Sequence, residues 1–381
     1  MQPAKLVLIL SGFPRRSETF ALHEATALHR RGLLTAIFAT KAGDGLPPQP
    51  GSETLLDMVR YLPTGNAEAQ ADALIQALNG QTIGGVHAYF AHQPTEVAMV
   101  VARHLQVPYG FSMHAKDARK VTTVELNERA QGAACIVACN PDVAKAVTDP
   151  AVRVSLLPHG VDIDRFHPLP LTNHWPLRLL AVGRLVEKKG FDILLRAAAR
   201  LTFPWTLEII GDGPERSRLA QLREALGITD KVHLRSGITH EELPAAYHAA
   251  HVVVVPSVID RSGDRDGLPN VLLEAMAAGR PVVASDVSAI GSAVVSGDNG
   301  LLVQPGDVAA LAAALTRLAR QPELGRDLGR RARQRMTFHY DLRTCSTRFC
   351  DFIEQTYFPH ACATSRSFAL EGHWSEVHCE A

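Results

Sequence analysis

The chain has 381 residues, of which 46% are hydrophobic and 20% charged, with 39 basic and 39 acidic side chains. This composition is ordinary for a globular protein of two or three domains, and it excludes a mainly disordered or fibrous chain. The zero net charge gives no support to a nucleic-acid-binding protein, which would carry a basic excess. We therefore expect no nucleic-acid partner.

Targeting signals are weak throughout the chain. No apolar run approaches the roughly 20 residues that a membrane-spanning helix requires. The first apolar run, Leu6 to Leu10, is too short for the core of a secretory signal, and Ser11, Gly12 and Phe13 follow it before Pro14. The six cysteines form no C-x-x-C pair, which favours reduced thiols. These observations predict a cytoplasmic protein.

Short apolar, β-branched runs alternate with longer Ala/Leu/Arg-rich stretches in the first part of the chain. The predicted strands are residues 5–10, 34–39, 86–90, 109–112, 135–138 and 152–157, and the predicted helices are 19–31, 67–78 and 94–105. Strands that are apolar along their whole length indicate a parallel sheet covered by helices on both faces.

The alternation stops at a proline-rich stretch, residues 169–176, which predicts a linker. It then restarts, with strands at 177–182, 206–210, 232–234, 252–256, 281–285 and 300–303 and helices at 190–201, 215–226, 240–248, 268–278 and 307–320. A helix at 340–357 and a polar tail, 359–381, complete the chain. The fold class predicted is α/β, with doubly wound domains at 1–168 and 177–337 and a helix within 338–358. The cleft between two such domains is the default ligand site.

Two glycine-containing loops follow the first two strands of the second domain. In Gly183–Gly190, Arg184 and Lys189 can converge on an anion such as a diphosphate; the alternative is a basic surface loop that Glu187 partly neutralises. The second loop, Gly211-Asp212-Gly213-Pro214, indicates a tight strand-to-helix turn. The chain contains no G-x-G-x-x-G and no P-loop motif, which counts against an NAD- or FAD-dependent oxidoreductase and a P-loop nucleotidase.

A third polar loop and helix run from Asp266 to Gly279. The backbone N–H groups of Gly267 and Leu268 stand before the predicted helix and can bind phosphate or sugar hydroxyls. Asp266 and Glu274 lie eight residues apart and can accept hydrogen bonds from such hydroxyls. The alternatives are a helix-capping role for Asp266 and a solvated position for Glu274. The apolar neighbours of Glu274 disfavour simple exposure, because a carboxylate in such a setting needs a partner.

These three segments resemble the donor site of the family-4 glycosyltransferases, retaining enzymes of the GT-B fold. Four segments of the first domain resemble the exopolysaccharide and lipopolysaccharide branch of that family. They are Ser11–Phe20, His87–His92, Ser112–Asp117 and Leu157–Phe166. The resemblance covers the chain from Leu6 to about Tyr357. One position departs from the family pattern E-x7-E, because Asp266 stands where the first Glu is expected.

The resemblance implies transfer of a sugar from a UDP- or GDP-sugar to an acceptor hydroxyl, with retention of configuration, in cell-surface polysaccharide biosynthesis. It implies that Arg184 and Lys189 clamp the diphosphate, with Gly183 allowing close approach of the backbone. Because two cationic side chains then do the work of a divalent ion, no metal or other cofactor is expected. The D-x-D triplet at Asp162 is expected to be a turn and not a metal site.

The same resemblance assigns residues to the ribose and to the transferred sugar of the donor. It implies that Glu274 holds the ribose hydroxyls, and that Asp266, Gly267 and Leu268 hold the transferred sugar and its phosphate.

The first domain is implied to contribute two residues to the donor site and to bind the acceptor. Gly12 would let the backbone approach the donor, and His114 would face the sugar across the cleft; the alternative for His114 is an ordinary loop histidine. The implied acceptor is a glycan or a lipid-linked sugar. Basic residues of this domain suit either peripheral contact with the inner face of the membrane or a plain solvated surface. They are Arg15, Arg16, Arg30, Arg31, Lys116, Arg119 and Lys120.

Two other functions stay open on the same fold. One is another two-domain activity, a sugar-nucleotide epimerase or a phosphorylase, which the fold alone does not separate from a transferase. The other is a non-catalytic sugar-nucleotide-binding protein. A second basic run, from Arg326 to Arg335, is expected to be a solvated helix face.

Overall fold

The structure is a computed structural model that describes residues 4–15, 18–45, 51–114, 120–170 and 175–359. These residues form two parallel β-sheets, each flanked by helices. The continuously apolar strands explain this arrangement, because both faces of a parallel sheet are covered. The α/β prediction of two doubly wound domains is confirmed.

The N-terminal domain has seven strands. They are β1 (Lys5–Leu10), β2 (Leu34–Ala39), β3 (Val59–Tyr61), β4 (Ile83–Tyr89), β5 (Tyr109–Met113), β6 (Cys135–Ala138) and β7 (Ser155–Leu156). Its helices are α1 (Thr19–Arg30), α2 (Glu53–Leu56), α3 (Ala67–Leu78), α4 (Gln93–Leu105), α5 (Thr123–Gln131) and α6 (Pro141–Ala144). The strand order is β3-β2-β1-β4-β5-β6-β7, so the order reverses between β1 and β4.

The C-terminal domain has six strands. They are β8 (Leu177–Val182), β9 (Trp205–Ile210), β10 (Val232–Arg235), β11 (Val252–Val255), β12 (Val282–Ser285) and β13 (Leu301–Val303). Its helices are α7 (Phe191–Ala198), α8 (Arg216–Ala225), α9 (Leu243–Ala249), α10 (Asn270–Ala277), α11 (Ile290–Ala293), α12 (Val308–Arg320) and α13 (Pro322–His339). The order β10-β9-β8-β11-β12-β13 reverses between β8 and β11, and ligands bind outside the carboxyl ends of strands at such reversals.

The last helix, α14 (Leu342–Tyr357), packs on the N-terminal domain. Its side chains Phe349, Ile353 and Tyr357 share a buried cluster with β1 and α1. The ring of Tyr357 occupies the space beside Gly85 and Gly110, where a Cβ atom would overlap it. Glycines in β4 and β5 therefore allow the helix to lie against the sheet.

Some elements were not predicted because their sequences carry little periodicity. Strand β3 and the short helices α2, α6 and α11 were missed, and α5 was missed although its Thr122–Glu125 capping box is complete. The predicted strand at 152–157 is only two residues long, at Ser155–Leu156. Of the predicted linker, 171–174 lies outside the described residues, as does the tail beyond residue 359.

The segment before the linker already packs on the C-terminal domain. Val161 and Phe166 share a buried cluster with Tyr247 and Met276. The Asp162 side chain accepts hydrogen bonds from the backbone N–H groups of Asp164 (3.1 Å) and Arg165 (2.9 Å). The D-x-D triplet is thus a turn, as expected.

The basic run of α13 is not a uniformly solvated face, and this prediction was wrong for its last members. The Arg333 guanidinium donates to the carbonyl oxygens of Ile163, Phe166 and Ala277, at 2.8 to 3.0 Å. Arg335 donates to the Ser292 carbonyl at 2.7 Å. These guanidinium groups satisfy carbonyls at the end of α10, in the inter-domain segment and in α11, and α13 packs against α10.

No helix within the described ranges is both long and apolar enough to cross a membrane. Four of the six cysteines lie within these ranges, and all four are free thiols.

Candidate active site

The three motif segments of the C-terminal domain meet at one edge of the sheet, because they follow the neighbouring strands β9, β8 and β11. The backbone N–H of Leu185 donates to the Asp212 carbonyl at 2.8 Å, and that of Val258 donates to the Lys188 carbonyl at 2.8 Å. Gly190 has a φ of 61°, and a Cβ there would overlap the Pro256 carbonyl. The glycine therefore permits the first and third loops to touch.

Asp266 is the centre of an ion-pair cluster that also contains Asp264 and both lysines of the first loop. Its Oδ2 atom lies 2.7 Å from Lys189 Nζ and accepts a hydrogen bond from Ser257 Oγ at 3.1 Å. Lys188 Nζ lies 3.5 Å from Asp266 Oδ1 and 3.1 Å from Asp264 Oδ2. Burial alone would raise the pKa of Asp266, but the two lysines and Ser257 lower it below its usual range.

The cluster gives Asp266 contacts that its sequence position did not predict. Asp266 holds the lysines in place, and it makes no side-chain cap on α10, whose N-cap residue is Pro269. Lys189 uses one of the three N–H donors of its ammonium group on Asp266, so further donors are left for a ligand. Lys188 and Asp264 belong to the same cluster and were missed, because a lysine pair and a loop acid have no distinctive spacing.

Arg184 stands apart from this cluster. Its side chain is exposed, and it borders neither of the two cavities described below. Within the described residues its guanidinium group forms no hydrogen bond or ion pair. Its predicted contact with a diphosphate stays a prediction.

A cavity of about 290 Å³ lies between the two domains. Four predicted site residues border it, namely His114, Asp266, Gly267 and Leu268. The structure thus brings His114 of the N-terminal domain close to the start of helix α10 in the C-terminal domain. Two contacts span the cleft nearby, from Arg265 to Asp142 (3.3 Å) and from the Asn270 amide to Thr19 Oγ1 (3.3 Å).

Glu274 borders a smaller adjacent cavity of about 40 Å³, together with His240 and Asp162. Its side chain is buried, and its Oε2 atom accepts a hydrogen bond from Tyr247 Oη at 2.7 Å. Its Oε1 atom lies 3.6 Å from His240 Nε2. The expectation that this carboxylate has a partner is confirmed, and the solvated alternative is wrong. Asn270 and Leu273 border both cavities, so the two are neighbours.

His114 directly follows β5 and is buried. Its ring stacks on Phe20, with centroids 4.3 Å apart, and on His159, with centroids 5.0 Å apart. Burial, followed by the nearby His159 and His87, lowers the pKa of His114 well below its usual value. The ring is therefore neutral at physiological pH, and it borders the cavity. Its contact with the sugar stays a prediction.

Two other predicted features of the N-terminal domain are only partly described. Gly12 follows β1, and a Cβ atom there would lie 2.8 Å from the Ala42 carbonyl oxygen, so the loop itself requires a glycine. In the C-terminal domain, Gly183 lies against the aliphatic part of Lys189. Residues 16–17 and 115–119, which include Arg16, Lys116 and Arg119, lie outside the described residues.

The site also contains a histidine whose importance was not predicted. His159 borders the larger cavity and pairs with the buried Glu24 of α1. The sequence signal was the Pro158-His159-Gly160 turn in the inter-domain segment, which resembled the family without indicating a role. Within the described ranges, no three His, Cys, Asp or Glu side chains are grouped closely enough to hold a metal ion.

Residues 163–335 match the model of a protein family described as glycosyl transferases group 1. The chain carries a group 1 glycosyltransferase domain. The matched range agrees with the resemblance that the motifs of the sequence carry, and it includes the three segments that converge on the cleft.

Curated relatives of this chain have names from the same class. It is 30% identical over 272 residues to a protein of Mycobacterium tuberculosis named glycogen synthase, covering 66% of this chain and 64% of that protein. It is 36% identical over 180 residues to the amylovoran biosynthesis glycosyltransferase AmsK of Erwinia amylovora, covering 45% of this chain and 43% of that protein. The chain therefore spans less than two thirds of the length of these relatives.

Among solved structures, the chain resembles the Anabaena protein HepE, crystallised in complex with UDP. The TM-score is 0.78 at 18% identity, and the alignment covers 93% of this chain and 100% of that chain. At this identity the likeness establishes the fold, which is GT-B as the sequence motifs imply.

Proposed function

We propose that the protein transfers a sugar from a nucleotide diphosphate sugar to an acceptor hydroxyl, in the biosynthesis of a cell-surface polysaccharide. The observation that supports this most is the cavity between the domains, which His114 borders from one side and Asp266, Gly267 and Leu268 border from the other. A relative named for amylovoran biosynthesis and a neighbour of the same fold in complex with UDP point to the same substrate class.

The chemistry of the site suits a departing diphosphate. Negative charge develops on that group as the sugar leaves, and prearranged cations and N–H groups stabilise it most in a site that excludes water. Lys189 is held by Asp266 at 2.7 Å, and Arg184 lies in the same loop. The N–H groups of Gly267 and Leu268 precede α10, where the positive end of the helix dipole favours an anion. We propose that these groups bind the diphosphate without a metal ion.

The first test measures ligand binding and turnover with the purified chain. We expect UDP or GDP to raise the melting temperature, because a ligand that binds only the folded state stabilises it. The cognate nucleotide sugar is expected to release free nucleoside diphosphate when acceptor is added, equally well with and without EDTA. Binding without release would indicate a sugar-nucleotide-binding protein, and loss of release in EDTA would contradict the metal-independent mechanism.

Replacing Glu274 by glutamine is expected to weaken donor binding about tenfold, because a charged acceptor for ribose hydroxyls is lost. The change should raise KM for the donor and leave kcat nearly unchanged, since the ribose does not react. Tyr247→Phe is the matched control, because it removes the 2.7 Å hydrogen bond and keeps the carboxylate. An unchanged KM in Glu274→Gln would refute the ribose assignment.

The acceptor is proposed to bind the N-terminal domain, as a glycan or a lipid-linked sugar. Peripheral contact with the inner face of the membrane is a further prediction. Some of the basic residues considered for it already have acidic partners in the protein. Arg31 lies 2.6 Å from Asp351 and 2.9 Å from Glu354, and Arg15 lies 3.1 Å from Glu18. These pairs reduce the positive charge that such a surface would present to anionic lipids.

A further inference from the structure

Tyr89, Glu24 and His159 form a hydrogen-bonded row on the N-terminal side of the cleft. Tyr89 Oη donates to Glu24 Oε2 at 2.5 Å, and Glu24 Oε1 lies 3.0 Å from His159 Nδ1. Tyr89 is fully buried and Glu24 is only 8% exposed. The three residues come from β4, α1 and the segment after β7, so the row exists only in the folded domain.

The row holds His159 as an imidazolium. Burial alone would lower the pKa of His159, but the Glu24 carboxylate and the nearby Cys139 thiol raise it to about 10. His159 is therefore protonated at neutral pH, while His114 stacked on it is neutral. Several other titratable side chains surround the two rings or face them across the cavity. They are His23 on α1, His87 on β4, Cys345 on α14, and Lys188, Arg265 and Asp266.

The second ring nitrogen of His159, Nε2, is buried and has no geometric hydrogen-bond partner within the described residues. The Cys139 thiol lies beside the ring, and a thiol is only a weak acceptor. A buried cationic N–H without an acceptor is unfavourable, so an oxygen that enters the cavity would gain a strong, charge-assisted hydrogen bond.

The position and the charge of His159 indicate which kind of ligand oxygen its free N–H would bind. His159 borders the same cavity as Gly267, Leu268 and Lys188, and the ammonium groups of Lys188 and Lys189 are each within 3.1 Å of an aspartate. The imidazolium is balanced by the Glu24 carboxylate at Nδ1, and its second nitrogen, Nε2, lies on the opposite edge of the ring. The stacked rings of Phe20, 4.4 Å away, and His114 fix the plane of that N–H.

We propose that His159, held by Glu24 and Tyr89, binds a phosphate oxygen of the donor diphosphate from the N-terminal side of the cleft. This inference rests on the proposed function. It adds a hydrogen-bond donor from the N-terminal side to a diphosphate otherwise bound by C-terminal residues, so a bound donor would hold the two domains together. Glu24 and Tyr89 are positioning residues that act through His159.

The test compares binding of a nucleoside diphosphate, UDP or GDP, with binding of the matching nucleoside by calorimetry. We expect His159→Asn to weaken diphosphate binding about tenfold or more, and to leave nucleoside binding unchanged. His159→Gln keeps an N–H donor on a longer side chain without the charge. Its diphosphate affinity should lie between the affinities of His159→Asn and the unmodified protein. His104→Asn, an exposed histidine on α4, is the matched control. Equal losses for diphosphate and nucleoside, or no loss, would overturn the proposal.

The pH dependence supplies a second readout that a merely structural role would not move. In Glu24→Gln the charge that raises the pKa of His159 is gone, and burial then holds that pKa below the ordinary value of about 6.5 for histidine. The ring should therefore lose its proton as pH rises from about 5 to 7. Diphosphate affinity of this variant should fall over that range, while that of the unmodified protein stays constant. Parallel profiles would refute the role of Glu24. If the unmodified protein binds neither UDP nor GDP, the proposed function itself fails.

Discussion

Lys189→Ala is expected to lower the rate of sugar transfer about 100- to 1000-fold, the usual effect of removing one group that stabilises a developing anion. The Lys189 ammonium lies 2.7 Å from Asp266 Oδ2, so its position is fixed before the donor binds. Prearranged charge contributes most to catalysis because it needs no reorganisation when the diphosphate departs. Steady-state kinetics should show the loss in kcat as well as in kcat/KM.

Lys145→Ala is the matched control, because Lys145 is an exposed lysine directly after α6 and borders neither of the two cavities described above. Far-UV circular dichroism of both variants should match the parent protein. Arg184→Ala tests the partner cation in the same assay, and its exposed side chain makes a folding defect there small. Near-normal transfer in both Lys189→Ala and Arg184→Ala would refute the assignment of the diphosphate to this loop.

Asp266→Ala is expected to lower the free energy of unfolding by about 3 kcal/mol, the lower end of the cost of breaking a buried ion pair. The side chains of Asp266 and Lys188 are 11% and 10% exposed, so the two lysines would be left poorly solvated near each other. Asp264 retains Lys188 at 3.1 Å and limits the loss. Urea denaturation at pH 7 measures the difference.

The same substitution is expected to change how stability depends on pH. The native pKa of Asp266 lies below its ordinary value, which is about 3.9 in an unfolded chain. The unfolded chain therefore binds the proton more readily, so this contribution is complete above about pH 4 and is lost as pH falls through the lower native pKa. Asp264→Ala should lower the free energy of unfolding by only about 1 kcal/mol, because the side chain of Asp264 is 27% exposed. Equal costs for the two variants would contradict the central position of Asp266.

The contacts across the cleft suggest how the site excludes water. Arg265 and Asp142 approach to 3.3 Å, and Asn270 and Thr19 to 3.3 Å, beside the cavity that contains the proposed diphosphate site. Water competes with the acceptor in a sugar transfer, so closure of the two domains around the donor protects the reaction. A donor bound to residues of both domains would favour this closed arrangement.

The sequence predicted which segments carry the site, because loops after consecutive parallel strands necessarily reach the same edge of the sheet. It did not predict the partners within the site. The 2.7 Å pair of Lys189 with Asp266 joins residues on loops after different strands, and no local pattern records which loop acid meets which lysine. Asp266 was therefore expected to hold the sugar, while the structure shows it bound to lysines.

By itself the sequence determined the two α/β domains and indicated the family resemblance and the segments that meet at the candidate site, because hydrophobic periodicity and glycine spacing are local properties of the chain. Only the tertiary structure decided the charge states at the site. Glu24 and His159 are 135 positions apart, and it is their approach in a buried region that makes one histidine cationic and leaves its neighbour His114 neutral. Electrostatic interactions depend on distance in space and on burial, and the order of residues alone specifies neither.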